Sequence, residues 1–237
     1  MAMPDFSFRS NQPELMDAGI LNFPEFSRYL KHLEYINRLT YVYRPALQWL
    51  KNAHADSNAT IIRILDVASG RGDMARHLWQ YAQARRLKMR IIGIDINPHA
   101  TRTATNEMPE NADIAFETWD VFSYDPVPKP DYIFSIQFTH HLSDEELEIF
   151  IRWMDKTAQK GWFINDLHRH PLSYYLVKFM LHLLPVHPAM RKDGPLSVAK
   201  AFTRKEWERL LEKAGVETNL VEIKWRFPFR YSVACRT

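Results

Sequence analysis

Carboxylates recur at the ends of apolar runs through the middle of this chain. Asp66 lies near the end of IIRILDV (61–67), Asp95 near the end of IIGIDI (91–96), and Asp120 closes DIAFETWD (113–120). Between the first run and the next helix lies a glycine turn, Gly70-Arg71-Gly72-Asp73-Met74-Ala75. It satisfies G-x-G-x-x-A formally, with Asp95 about twenty residues on, which is the outline of a dinucleotide site. Two histidine pairs follow later runs: His140-His141 after DYIFSIQF (131–138), and His168-Arg169-His170 after GWFINDL (161–167).

The acids decide between ligands. A pyrophosphate over the helix N-terminus would face the carboxylate of Asp73, with Asp66 close by, and like charges there oppose binding. A ligand carrying positive charge reverses the sign. S-adenosylmethionine, with its sulfonium and ammonium groups, is such a ligand, and glycines let the backbone approach its amino-acid end. Asp95 is then placed to accept from the ribose hydroxyls and Asp120 from the adenine amino group, with Val121 beside the ring. Ala68, Ile96, Gln137 and His140 complete the expected cofactor set with Asp66, Gly70, Gly72 and Asp73.

Methyl transfer is an in-line displacement in which positioning carries much of the rate. A hydroxyl acceptor must also lose a proton, and histidine suits that near neutral pH. His141 and His168 are the expected catalytic residues. Four histidines with Asp166 do not add up to a metal site, because H-H and H-x-H pairs on separate loops lack the spacing of an H-E-x-x-H helix, so no metal is expected.

These residues need a scaffold of alternating strands and helices. Residues 1–12 read as a loose tail. A helix is signalled from Asn22, with Pro24 in its first turn, and a second over Ala46–Lys51; HADSNAT (54–60) reads as a loop. Five strands follow at 61–67, 91–96, 113–120, 131–138 and 161–167, with helices at 73–87, after Asn97-Pro98, and from Ser143, where Glu146 completes a capping box. Helical pieces at 172–184 and 203–214 precede two strands near 217–224 and 228–235 that must pair antiparallel. The expected fold is α/β: a Rossmann-like three-layer sandwich on a seven-stranded, mostly parallel sheet with an antiparallel last strand, plus an N-terminal helical lid. Ligands then bind beyond the C-terminal strand ends.

Composition narrows the class. The 237 residues are 46% hydrophobic with a formal net charge of +3, and the densest basic run, Arg85, Arg86, Lys88 and Arg90, reads as a solvated helix end, so no nucleic-acid partner is expected. The single Cys235 excludes an intramolecular disulfide and fits a cytoplasmic protein. The first residues do not read as a signal peptide. The longest apolar stretch, Tyr174 to Val186, contains Lys178 and His182 and is too short for stable membrane insertion.

DVASGRGD resembles motif I of class I S-adenosylmethionine-dependent methyltransferases, and IIGIDIN resembles motif II. The acidic residue before DYIFSIQF resembles the approach to motif IV, and the terminal antiparallel pair resembles that fold's last two strands. The likeness covers about residues 60 to 237. Arg71, between the glycines, departs from the pattern and is given no role. PELMD (13–17), INRL (36–39), DLHRHPLSYY (166–175) and DGPLSVAKAF (193–202) resemble a bacterial subgroup of small-molecule methyltransferases. That resemblance implies a tail and helical lid over 1–58, a methyltransferase domain over 59–237, and an acceptor-lid insert at about 170–202. It also implies a largely apolar phenolic, quinone-like or polyketide acceptor, methylated at oxygen in secondary metabolism, with carbon as the alternative. Asn37 and Arg38 from one side, and His141, His168, Arg169, Tyr174, Arg191, Asp193 and Ser197 from the other, are the expected acceptor residues; a homodimer stays open. An NAD(P)-dependent oxidoreductase is disfavoured by Asp73 and the lack of a Tyr-x-x-x-Lys segment. A non-catalytic cofactor-binding module is disfavoured by the intact turn. An RNA methyltransferase is disfavoured because QFTH stands where Asn-Pro-Pro-Tyr would be.

Overall fold

The computed structural model describes residues 5–54 and 61–236, so most of the loop expected over 54–60 lies outside the described residues. Seven strands, β1 (Ile62–Val67), β2 (Met89–Asp95), β3 (Ile114–Thr118), β4 (Tyr132–Ile136), β5 (Gly161–Leu167), β6 (Val221–Arg226) and β7 (Arg230–Arg236), form one sheet in the order β3-β2-β1-β4-β5-β7-β6. Pairs from β3 to β5 are parallel, and β7 runs antiparallel to both of its neighbours. The strand order reverses between β1 and β4, and the crevice beyond their C-terminal ends is where such sheets bind ligands.

Among the described residues, eight α-helices accompany the sheet: α1 (Phe23–Leu39), α2 (Arg44–Ala53), α3 (Asp73–Arg85), α4 (Pro98–Glu107), α5 (Asp144–Thr157), α6 (Pro171–Leu183), α7 (Met190–Lys200) and α8 (Arg204–Ala214). The pleat of β4 divides the core. Tyr132 and Phe134 pack with Trp49 of α2 and Leu78 of α3, while Ile133 packs with Phe150 of α5 and Trp207 of α8. With β4 and β5 covered on both faces, their apolar runs are continuous rather than alternating. The capping boxes of α5 and α8 form as the sequence signals, and Asn22 with Glu25 makes a third at α1.

Two expectations fail. The tail is not loose over its described part: Arg9 donates to the carbonyls of Lys200, His140 and Leu142, pairs with Asp144 at 2.9 Å, and lies 3.7 Å from the ring centroid of Phe202. The second is α7, a helix in the stretch between the pieces expected at 172–184 and 203–214, where the sequence signals no element. Gly194 is needed because a Cβ there would lie 2.3 Å from Leu181 Cδ1, so it sets how closely α7 can pack on α6. Pro195 sits in the second turn, where its missing N–H forfeits one helical bond and tertiary packing outweighs propensity.

Candidate functional site

The turn after β1 is built from left-handed backbone. Ala68, Gly70 and Gly72 have φ of 55°, 54° and 73°. Gly72 cannot carry a side chain, since a Cβ would stand 2.5 Å from the Phe116 ring. The Gly70 N–H donates to Asp95 Oδ2 at 2.9 Å, and the Asn97 N–H donates to Asp95 Oδ1 at 2.9 Å, so one carboxylate ties the turns after β1 and β2 together. Asp120 Oδ1 accepts from Phe122 N in the turn after β3.

These turns wall a cavity of about 550 Å³ beyond the strand ends, roofed by α1 through Phe26, Leu30 and Leu33. Asp66, Ala68, Gly70, Asp73, Asp95 and Ile96 line it, as do Asp120, Val121 and Gln137. Of the expected cofactor residues, the structure leaves Gly72 behind the turn against Phe116 and places His140 on a neighbouring cavity. Arg71 turns away and bridges Glu34 of α1 (2.8 Å) and Glu107 of α4 (2.5 Å), which latches the roof to the sheet.

Three buried polar atoms on this wall have no hydrogen-bond partner: Asp66 Oδ2, Ser69 Oγ and Gln137 Nε2. Native interiors pair almost all such atoms, so their grouping calls for a ligand. A buried carboxylate oxygen seeks a donor and an amide nitrogen seeks an acceptor, and the ammonium and carboxylate of an amino-acid end supply both. Burial pushes the Asp66 carboxyl well above the usual range, and the charges of Asp73 and Asp95 push it further. Burial likewise raises Asp73, opposed by the hydrogen bond it accepts from the Tyr43 hydroxyl, and raises Asp95 against its two backbone donors. Such a wall is short of positive charge, which a cationic ligand provides and a pyrophosphate does not.

A second cavity of about 560 Å³ lies between α1, α6, α7 and the β6–β7 turn. It shares Met16, Leu33, Asn37, Gln137 and His141 with the first, so the two meet across one wall. Its lining is otherwise mostly apolar, with Ile36, Val177, Met180 and Leu184 inside and the exposed Tyr41, Phe179 and Phe227 around its rim.

His141 stands on the shared wall. Its Nδ1 donates to Asp17 Oδ2 at 2.8 Å, and that contact, with the charge of Glu14, raises its pKa against the opposing and larger effect of burial. His140 is fully enclosed. Its Nδ1 donates to Asp166 Oδ1 at 2.7 Å while its backbone N–H and the Thr139 hydroxyl reach Asp166 Oδ2. Against the burial that opposes it, the His140 charge, with these bonds, holds the Asp166 carboxyl down at about 2.

Other sequence candidates part company here. Asn37 lines both cavities and Ser197 lines the second, where its hydroxyl donates to Glu14 at 2.9 Å. The structure keeps His168 out of both: it packs edge-on to Tyr231 at 4.7 Å, and burial lowers its pKa to about 4. Arg169 is spent on the Phe6 and Ala201 carbonyls and on Glu206. Tyr174 packs on Phe6 and Tyr175, Arg191 donates to the Leu181 carbonyl, and Asp193 accepts from the Leu15 and Met16 amides and the Tyr29 hydroxyl. Arg38 borders an open groove with Lys31 and Arg71, on the outer side of α1.

Four residues of the site escaped sequence reasoning. Glu14 and Asp17 reach the histidines from a segment without regular structure, and Ser69 sits inside the turn itself. Arg230, whose Nη atoms bond Thr40, brings a buried guanidinium with an unpartnered Nε to the second cavity, and its pKa is lowered to about 10 by burial. PELMD carried the only signal for the first two, and it came without a partner.

Residues 64–161 match a family described as a methyltransferase domain. No curated protein matches the chain. Among solved structures, the chain is similar to magnesium protoporphyrin IX methyltransferase from Synechocystis PCC 6803 with bound S-adenosylhomocysteine (SAH), at 18% identity and a TM-score of 0.56, covering 92% of this chain and 88% of that one. It is also similar to the plantazolicin methyltransferase BpumL in complex with SAH, at 14% identity and a TM-score of 0.65, covering 90% of this chain and 96% of that one. Human N-acetylserotonin methyltransferase is similar at 15% identity and a TM-score of 0.62, over 91% of this chain and 56% of that one. At such identities these likenesses speak for the fold.

Proposed function

We infer that this chain, whose residues 64–161 match a methyltransferase-domain family, is a class I S-adenosylmethionine-dependent methyltransferase acting on a small, largely apolar acceptor, at oxygen. The observation that supports this reading best is the pair of cavities meeting at His141, one walled by acids and orphaned polar atoms, the other mostly apolar. S-adenosylmethionine supplies an electrophilic methyl group on a sulfonium. Asp66 and Gln137 would hold its amino-acid end, Asp95 its ribose, and Asp120 with Val121 its adenine.

The chain's own work is alignment. α1, α6 and α7 flank the acceptor cavity, which matters because in-line displacement depends on the reacting atoms being held in near-attack geometry. His141, with Nδ1 tied to Asp17, keeps Nε2 for the acceptor and is poised to draw the proton from a hydroxyl. The unpartnered Arg230 Nε suits an acceptor that carries a carbonyl or carboxylate oxygen away from its nucleophile. Methyl transfer from labelled cofactor to a panel of phenols, quinols and polyketides tests the reading. Transfer confined to polar amines or nucleic acid overturns the acceptor assignment.

The acids make cofactor binding pH-dependent. The cation favours the ionised form of Asp66, whose pKa is raised in the free protein, so binding expels a proton. Affinity for S-adenosylmethionine is therefore expected to climb with pH from the ordinary carboxylate range up to the raised pKa of Asp66, and to level off above it. Calorimetry in buffers of different ionisation enthalpy measures the released proton directly. An affinity flat from about pH 5 to 8, with no proton release, contradicts the assignment of Asp66.

A further inference from the structure

The wall where the cavities meet holds more than an imidazole base. Glu14, His140 and His141 each offer one ligating atom, and these atoms lie within 4.8 Å of one another. Both histidines have Nδ1 engaged by a carboxylate, Asp166 for His140 and Asp17 for His141, which leaves Nε2 as the lone pair of each ring. A carboxylate on the outer nitrogen is how proteins fix the tautomer and orientation of metal-bound histidine. Glu14 is buried at 1% exposure; its Oε2 accepts from Ser197 while Oε1, 3.9 Å from His140 Nε2, has no hydrogen bond.

We propose that Glu14, His140 and His141 bind one divalent transition-metal cation at the junction of the two cavities. The claim rests on the methyltransferase reading only for what the ion acts upon. Two imidazoles and one carboxylate suit zinc, iron, cobalt or manganese, whereas calcium and magnesium prefer all-oxygen sets. The charges agree: three carboxylates, Glu14, Asp17 and Asp166, surround the two rings, against Lys200, whose Nζ is 3.4 Å from Glu14 Oε1, and Arg230 beyond Asp166. The Lys200 ammonium is the ion's competitor and must swing aside. Bond lengths of about 2.0–2.2 Å place ligating atoms some 3–3.5 Å apart, so the cluster closes by on the order of 1 Å. Asp193 and Ser197 hold the segment that carries Glu14 and Asp17, so the closure falls to side-chain rotation rather than to movement of the chain.

In this position the ion sharpens the chemistry assigned to His141. A hydroxyl oxygen of the acceptor bound to the cation becomes more acidic and gives its proton to water. The oxygen keeps the electron pair that forms the bond to the methyl carbon, and the carbon–sulfur pair returns to sulfur as a neutral thioether. His141 then serves as ligand, and Asp17 fixes its ring.

Cobalt(II) titrated into the full-length protein after chelation tests the proposal through its visible absorption. One saturable site is expected, weakened at least about tenfold in Glu14→Gln and in His140→Ala, with SAH affinity unchanged. Asp166→Asn, which touches the ion only through His140, is expected to weaken it by about tenfold and guards against misfolding of the other two. No saturable site in the wild type, or one undiminished by both ligand substitutions, overturns the metal site. If SAH still binds and methyl transfer is indifferent to chelator, the metal falls while the methyltransferase stands; loss of SAH binding by the wild type is what would sink the latter.

Discussion

The Asp95→Ala variant is expected to bind SAH at least about 100-fold more weakly than the wild type in calorimetry. Asp95 is buried and accepts the Gly70 and Asn97 amides at 2.9 Å each, so its removal strands two buried donors as well as losing the ribose contacts. The stranded donors burden the free and bound protein alike and lower stability, whereas each lost hydrogen bond to the charged acceptor costs about 1.5–3 kcal/mol of binding, and each 1.4 kcal/mol is about tenfold in affinity. Part of the loss is a loosened turn. Asp95→Asn retains one acceptor and should fall between. A variant within about threefold of wild type would show that the ribose sits elsewhere.

His141→Ala is expected to cut turnover by about 10²–10⁴-fold while leaving SAH affinity intact, because the ring stands on the wall the cavities share. Asp17→Asn removes the charge that orients the ring and should cost less. The matched control is His168→Ala. Its ring packs against Tyr231, away from both cavities, so turnover should hold even if stability drops. Equal losses in the two histidine variants, or none in either, would refute the placement of the nucleophile at His141.

The strand ends were legible in the sequence because their markers are local: a glycine turn, an acid at the end of each run, a histidine pair. Nine of the eleven residues expected to hold the cofactor line one cavity. What could not be read depends on distance. His141 and His168 look alike in sequence, each beyond a strand end, and only the approach of Asp17 to one and Tyr231 to the other separates them. Glu14 is a lone acid until the fold sets it beside His140. Arg9 looked idle for the same reason, since its partners are on α5 and at the end of α7. α7 is not legible because its propensity, with Gly194 and Pro195 inside it, says nothing of Leu181 waiting across the helix pair.

Arg71, held between Glu34 and Glu107, has a kinetic meaning. The helix it fastens roofs the first cavity, whereas the second has its own apolar rim at Tyr41, Phe179 and Phe227. With cofactor and acceptor placed as proposed, the acceptor can exchange with the latch shut, while exchange of the cofactor past α1 needs Glu34 freed from both Arg71 and Arg76. On that reading the cofactor is expected to enter first and leave last, with its departure as the slow step. Salt, by screening the latch, then speeds multiple turnovers without touching the first.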